Sequence, residues 1–181
     1  SAKSVLPKSS STKHVVFSKN TAKLTRSKFQ FSFPVTTTYE ITSKFEAEGD
    51  AQSLLYAPPA TPVRFRKTMR YAFDYEGDSA ALDAFVHEVL VDRISQEAHQ
   101  DAAPLFNGTT FILDYGMKGA ALDLEKEAIL NYYRSLSNPN FKINKLTLRT
   151  RLYVFGEGAD PEIFVRDIVN PAIQNSEFIK A

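Results

Sequence analysis

Apolar and polar residues alternate with a period of two from Phe29 to Ala47, in the stretch "FQFSFPVTTTYEITSKFEA". Strict alternation predicts a β-strand with one dry and one wet face, which favours an antiparallel sheet. At ~3.3 Å per residue, an unbroken strand of this length would span roughly 60 Å. We therefore expect a bend or break, and Pro34 is the expected place because it cannot donate a ladder hydrogen bond.

The same period recurs later, interrupted by segments with helical spacing. Strands are predicted at residues 62–75, 108–115 and 141–155. Apolar residues recur every three or four positions near residues 79–98, 120–136 and 160–170, which predicts three helices. The predicted fold class is α+β, a mainly antiparallel sheet with helices on one face. The rival is a three-layer α/β fold, in which strands 62–75 and 108–115 are parallel neighbours and helices cover both sheet faces.

Two stretches of the chain are alike. "FDYEGDSAALD" at residues 73–83 matches "LDYGMKGAALD" at residues 113–123 without a gap. We interpret each as a corner at which a strand ends, a glycine or polar residue turns the chain, and small alanines begin a helix close to the sheet. An internal duplication is the alternative, but the adjoining sequences do not match.

Composition bounds the class of protein. The chain has 181 residues, of which 43% are apolar and 24% charged, so it can bury a core. It has no cysteine, which excludes disulfides, thiolate metal sites and cysteine nucleophiles. Residues 1–28 are rich in Ser, Lys and Thr and are predicted to be a basic N-terminal arm that does not pack on the core, followed by one domain at 29–181. No apolar run approaches the ~20 residues of a membrane-spanning helix, so no membrane partner is expected.

Charge is distributed unevenly along the chain. The first 39 residues hold seven basic side chains and no acidic one, whereas the remaining residues hold 15 basic and 21 acidic side chains. A basic arm on a mildly acidic body suggests a polyanionic partner.

Few residues suggest a reaction centre. His14, His87 and His99 lack the spacing of a two-histidine metal motif, and no phosphate-binding loop is present, so we predict no metal and no cofactor. Asp74 and Asp114 lie at predicted strand ends, where paired carboxylates can ligate a metal or act as general acid and base. Alternatively, each accepts hydrogen bonds from the amides of the following turn.

The more specific signal is a set of basic residues on the polar faces of two strands, with Tyr153 and Phe155 beyond them. Arginine pairs well with phosphate, and exposed aromatic rings can stack on bases. With four basic residues of the arm, they form the predicted nucleic-acid-binding set: Arg64, Arg66, Arg70, Lys145, Arg149, Arg151, Lys19, Lys23, Arg26 and Lys28. The alternative is an ordinary wet sheet face, on which acids such as Glu40 and Glu46 pair with the arginines.

The layout of residues 12–98, from "TKHVVF" to "SQEAH", resembles the coat proteins of single-stranded RNA phages. The resemblance implies a sheet that faces RNA and helices that interlock in a dimer, but the chain is longer and its later strand–helix units have no counterpart there.

Three functional hypotheses follow. The first is a non-enzymatic, homo-oligomeric structural protein that contacts nucleic acid, RNA rather than DNA, such as a coat or nucleocapsid subunit located in a virion, or otherwise in the cytoplasm. The second is a subunit of a larger ribonucleoprotein or organellar assembly. The third is a small-ligand enzyme that uses Asp74 and Asp114.

Overall fold

Seven strands and three α-helices make up the fold in a computed structural model that describes residues 34–45, 47–57 and 59–180. The predicted arm, the start of the first strand and Glu46 lie outside the described residues. The strands are β1 (Val35–Ser43), β2 (Gly49–Asp50), β3 (Arg64–Gly77), β4 (Gln96–Gln100), β5 (Phe111–Met117), β6 (Phe141–Phe155) and β7 (Gln174–Lys180). The helices are α1 (Ser79–Val89), α2 (Leu124–Ser135) and α3 (Pro161–Ile168), and a 3-10 turn spans Ala51–Ser53.

The strands form one antiparallel sheet in the order β4-β1-β3-β6-β5-β7, and the short β2 pairs with β3. This arrangement confirms the α+β class. The rival α/β fold is wrong, because β3 and β5 are not neighbours: each pairs with β6, which lies between them.

All three helices pack on the same face of the sheet. One buried cluster joins α1 and α2 to alternate residues of β1, β3 and β6, among them Tyr71, Phe73, Leu146 and Leu148. A second cluster joins Phe164 of α3 to β5 and to Leu152 and Val154 of β6. Leu146, Leu148, Leu152 and Val154 of β6 all have even numbers, so they point to one side of the strand. Phe141 of the first cluster lies before an irregularity in the β3–β6 register, which is why an odd-numbered residue also joins the core. Within the described residues, the opposite face therefore carries no helix.

Two predicted helices and the repeated motif require correction. Helix α1 ends at Val89 rather than near 98, and the chain turns back to form β4, which the sequence reading missed together with β2 and β7. In the second copy of the motif, Ala120 and Ala121 lie in a turn and α2 begins only at Leu124, with Asp123 as its N-cap. The two copies therefore share a strand but not a corner.

A closer internal repeat lies elsewhere in the chain. The unit β3–α1–β4 is matched by β6–α3–β7, and the turn after each helix has the same bonds. The amide of Asp92 donates to Gln96 Oε1 over 3.0 Å, and the amide of Asn170 donates to Gln174 Oε1 over 2.9 Å. The matched residues are 78 positions apart, and the sequence signal is only V-(D/N)-x-x-x-Q. The strand order reads symmetrically about the β3–β6 pair, so the two halves are related by an approximate two-fold axis.

Among the described residues, no helix has the length and apolar character needed to cross a membrane.

Candidate nucleic-acid interface

The basic residues of β3 and β6 lie on the sheet face opposite the helices. Arg64, Arg66 and Arg70 alternate along β3 with residues that pack beneath the helices, and Lys145, Arg149 and Arg151 do the same along β6. Antiparallel pairing brings the two sets side by side, with Arg70 directly opposite Arg149. The predicted common face is therefore present, but its members differ greatly in exposure.

Arg151 is the centre of a buried ion-pair network. Its guanidinium holds Asp114 with two bonds, from Nε over 2.7 Å and from Nη2 over 2.8 Å, and reaches Glu40 Oε2 at 3.2 Å. Arg70 Nη1 donates to the same Asp114 carboxylate over 2.8 Å. Two cations thus meet two anions, and Arg151, Asp114 and Glu40 are all at most 4% exposed. The expectation that Arg151 forms part of an exposed surface is wrong, because two carboxylates from β1 and β5 enclose it.

Hydroxyl groups complete the coordination of Glu40. Its Oε1 accepts from Thr68 Oγ1 at 2.7 Å and from the Tyr153 hydroxyl at 2.6 Å. Burial, and then the hydrogen bond to Glu40, raise the pKa of Tyr153 to about 12. For Arg151, burial alone would lower the pKa, but hydrogen bonds to Asp114 and Tyr153 and the nearby carboxylates raise it above its usual value. Both groups are held in their ordinary protonation states at neutral pH.

The segment 101–110 covers this network in place of a helix. The Leu105 amide donates to the Tyr153 hydroxyl over 3.0 Å, and the Phe106 ring meets the Tyr153 ring edge-on at 4.8 Å between centroids. The Arg66 guanidinium lies over the Phe106 ring, 4.4 Å from its centroid. Tyr153 is fully buried, so it is not available to stack on bases as the sequence reading expected.

Arg64 lies at the other end of β3 and is largely exposed. It forms an ion pair with Glu48 at 3.0 Å. Pairing of strand arginines with nearby acids was the alternative interpretation of this face, and it describes Arg64, Arg70 and Arg151. The acids are Glu48, Asp114 and Glu40.

Arg149 and Lys145 remain accessible and have no ion pair among the described residues. Arg149 is partly exposed, and Lys145 is exposed near the start of β6. Arg149 shares a cleft of about 130 Å³ with Arg70, Thr38, Ala72 and Thr147. This cleft and Lys145 are therefore an accessible part of the predicted basic surface at which a ligand can be bound.

The absence of a side chain at Gly116 positions Arg149. Strand β5 separates from β6 after the Tyr115–Thr150 pair, and the Gly116 backbone passes close to Arg149. A Cβ at residue 116 would lie 3.2 Å from Arg149 Cγ and 2.5 Å from the Leu148 carbonyl oxygen. Glycine therefore gives the Arg149 side chain the space to lie over the sheet.

Asp74 and Asp114 do not come together. Asp74 is paired with Lys145 and Asp114 with Arg151, six positions along β6, so roughly 20 Å separates them at ~3.3 Å per residue. Asp74 accepts from Thr36 Oγ1 at 2.7 Å, and Asp114 is bound by two arginines. Within the described part of the chain, neither carboxylate accepts a hydrogen bond from the amides of the following turn, so the alternative turn-capping role is not observed.

Lys19, Lys23, Arg26 and Lys28 lie outside the described residues. The sequence predictions included neither the role of segment 101–110 nor Asp114 as a partner of Arg151, whereas Glu40 was among the acids named as pairing with the strand arginines in the alternative interpretation. One signal was present: Glu40 is the single charge within the strand sequence "VTTTYEITS". A lone acid on a threonine-rich strand face suggests a cross-strand cationic partner.

Comparison of the chain with protein-family models, with curated proteins and with solved structures finds no match.

Proposed function

We propose that this protein is a non-enzymatic, oligomeric structural protein that contacts single-stranded nucleic acid, as a viral coat or nucleocapsid subunit does. The observation that carries the proposal is the sheet face on which Arg149 and Lys145 keep accessible charge and which no helix of residues 34–180 covers. Positions 1–39 support the proposal, because they hold seven basic residues and no acidic one. Such a segment adds contacts to phosphates that do not depend on the nucleotide sequence.

The buried network supports a structural rather than catalytic role for the carboxylates on this face. Asp114 and Glu40 accept hydrogen bonds from arginine and hydroxyl donors. Asp74 of β3 pairs with Lys145, six positions along β6 from Arg151, so it lies far from Asp114. The enzyme hypothesis relied on Asp74 and Asp114 as a pair, and their separation removes that pair.

The outer edge of β7 favours an oligomer. Strand β7 pairs only with β5 among the described strands, and its Phe178 and Ile179 are 46% and 41% exposed. A strand edge with unpaired backbone groups and exposed apolar residues is a template for pairing with another chain. A second copy of this protein, paired along β7, would continue the sheet and place its own side chains beside Phe178 on one face and Ile179 on the other.

Salt-dependent binding tests the nucleic-acid part of the proposal. In single-stranded RNA, each phosphate contact contributes ~0.7 to the slope of log affinity against log salt. Changing Lys145 and Arg149 together to glutamine should therefore reduce this slope by roughly 1.4. Arg134→Gln on α2, which removes an exposed arginine from the helix face, is the matched control. Equal slopes for the double variant and the parent would refute a role for this face.

Light scattering and electron microscopy test the oligomer. The parent should form dimers or closed particles that carry nucleic acid, visible as raised absorbance at 260 nm. Ile179→Lys places a charge on the β7 edge and should yield monomers with an unchanged far-UV circular dichroism spectrum. A monomeric parent would contradict the proposal and favour a subunit that needs other proteins to assemble.

A further inference from the structure

The cleft between Arg70 and Arg149 is formed by two rows of paired residues that run across the three strands β1, β3 and β6. The first row is Glu40–Arg70–Arg149 and the second is Thr38–Ala72–Thr147. Ala72 is the small member at the centre, so the two arginines and two threonines surround a hollow above it. The hollow has a volume of about 130 Å³. A single water needs only ~10–15 Å³ on such a measure, so a tetrahedral anion fits.

Two hydrogen-bond donors in this cleft are unused. Arg70 Nε and Arg149 Nη1 are shielded from solvent and have no hydrogen-bond partner among the described residues. Buried donors are nearly always satisfied, and an unsatisfied one is unfavourable. The two atoms belong to side chains that are direct cross-strand partners, so one acceptor group between the strands can serve both.

Charge also favours an anion here. Like charges directly opposite each other in a sheet are destabilising. Asp114 compensates Arg70 through Nη1, but no carboxylate in the described part of the chain lies within 4.0 Å of Arg149. Asp114 and Glu40 on the same face are already bound by Arg151. Asp123 and Glu125 line a separate cleft with Arg149 but form no ion pair with it. The pair therefore keeps an uncompensated positive charge that faces the cleft.

We infer that this cleft binds a phosphate group, held by the Arg70 and Arg149 guanidinium groups and by the hydroxyls of Thr38 and Thr147. Arginine guanidinium groups match phosphate oxygens in geometry and charge. The same chemistry is offered by inorganic phosphate and by the phosphodiester of a nucleic acid. The phosphodiester is the ligand if the proposed function is correct, so this inference rests on it in that respect.

The test uses the full chain labelled with ¹⁵N and follows the Arg Nε–H resonances by NMR. Inorganic phosphate is titrated first, and a ten-nucleotide oligouridylate is titrated separately and then against phosphate. Ala72→Leu fills the cleft without changing charge, Thr147→Val removes a hydroxyl without changing shape, and Arg149→Gln removes a cation. Arg134→Gln on α2 is the control for loss of one exposed arginine.

Phosphate should shift the Arg70 Nε–H resonance in a saturable way. Arg149→Gln should weaken phosphate binding by about tenfold or more, as loss of a charge-assisted hydrogen bond predicts. Ala72→Leu should weaken it by a similar factor, because the larger side chain occupies the cleft. Thr147→Val should weaken it by a smaller factor, and Arg134→Gln should not change it. If Ala72→Leu does not fold, Thr147→Val and Arg149→Gln still test the inference.

The possible failures are distinct. The absence of a saturable phosphate shift in the parent, or unchanged binding by Arg149→Gln, overturns the inference. Phosphate binding in a protein that does not bind the oligonucleotide at all supports the cleft as a phosphate site and contradicts the proposed function. If Arg149→Gln and Thr147→Val bind the oligonucleotide as well as the parent does, the cleft is not the site that contacts nucleic acid. The proposed function then depends on the remaining basic residues.

Discussion

Replacing Arg151 with methionine should destabilise the fold severely, although sequence alone would class it as a surface residue. Methionine fills a similar volume but leaves Glu40 and Asp114 buried with only Arg70 as a cation. Removing one partner of a buried ion pair costs about 3–5 kcal/mol. We expect about 3 kcal/mol, because Arg70 still pairs with Asp114 and the hydroxyls of Thr68 and Tyr153 still donate to Glu40.

Urea unfolding followed by far-UV circular dichroism measures this loss, and the slope of free energy against urea should be unchanged. In a thermal scan, the midpoint should fall by roughly 6–12 °C for a domain of this size. Asp114→Asn should lower the free energy of unfolding less in the Arg151→Met variant than in the parent protein. In the variant it removes an anion that has already lost one of its two arginine partners. Arg64→Met is the control: its exposed pair with Glu48 should contribute only ~0–1 kcal/mol. A loss below ~1 kcal/mol for Arg151→Met would show that the network is solvated and would refute the reasoning.

Three further predictions concern the same face and its margins. Phe106→Ala should lower the free energy of unfolding by about 1–2.5 kcal/mol in urea melts, because it removes the ring contact with Tyr153 and the cation–π contact with Arg66. An unchanged melt would show that segment 101–110 does not stabilise the network. Gly156→Ala should lower the free energy of unfolding by about 1–3 kcal/mol, because residue 156 has φ +123° and a Cβ would lie 2.7 Å from the Pro62 carbonyl oxygen. The control Gly119→Ala, which has open space around it, should change the free energy of unfolding by less than ~0.5 kcal/mol. The pKa of Tyr153 is raised from 10.0 to about 12, so the unfolded chain loses this proton first, and the stabilisation from Tyr153 should be intact below pH 10 and be lost as pH rises toward 12. Tyr153→Phe should make that part of the stability profile less steep, and an equal fall in the variant would assign the effect to Tyr39, Tyr71 and Tyr115, whose pKa values burial also raises.

The main elements of the fold could be predicted from local sequence, for a physical reason. Which face of β3 or β6 is apolar depends on residues two positions apart, and the N-caps Asp78 and Asp160 bond to amides two residues later. These are short-range properties, so the strands, the helices and the α+β class followed from the chain itself. The strands β4 and β7 were missed because their sequences, "QEAHQ" and "QNSEFIK", carry little periodic apolar signal and form by pairing with β1 and β5.

The character of the basic face depended on the tertiary structure instead. Alternation placed Arg151 correctly on the face without helices, but it carried no information about Glu40, which is 111 residues away in sequence and 3.2 Å away in space. Nor did it show that segment 101–110 folds over Tyr153, or that Gly116 leaves space for Arg149. Charge on a strand face is a local property, whereas its compensation depends on which strands become neighbours, and only the folded sheet decides which arginines are bound internally and which keep charge for a ligand.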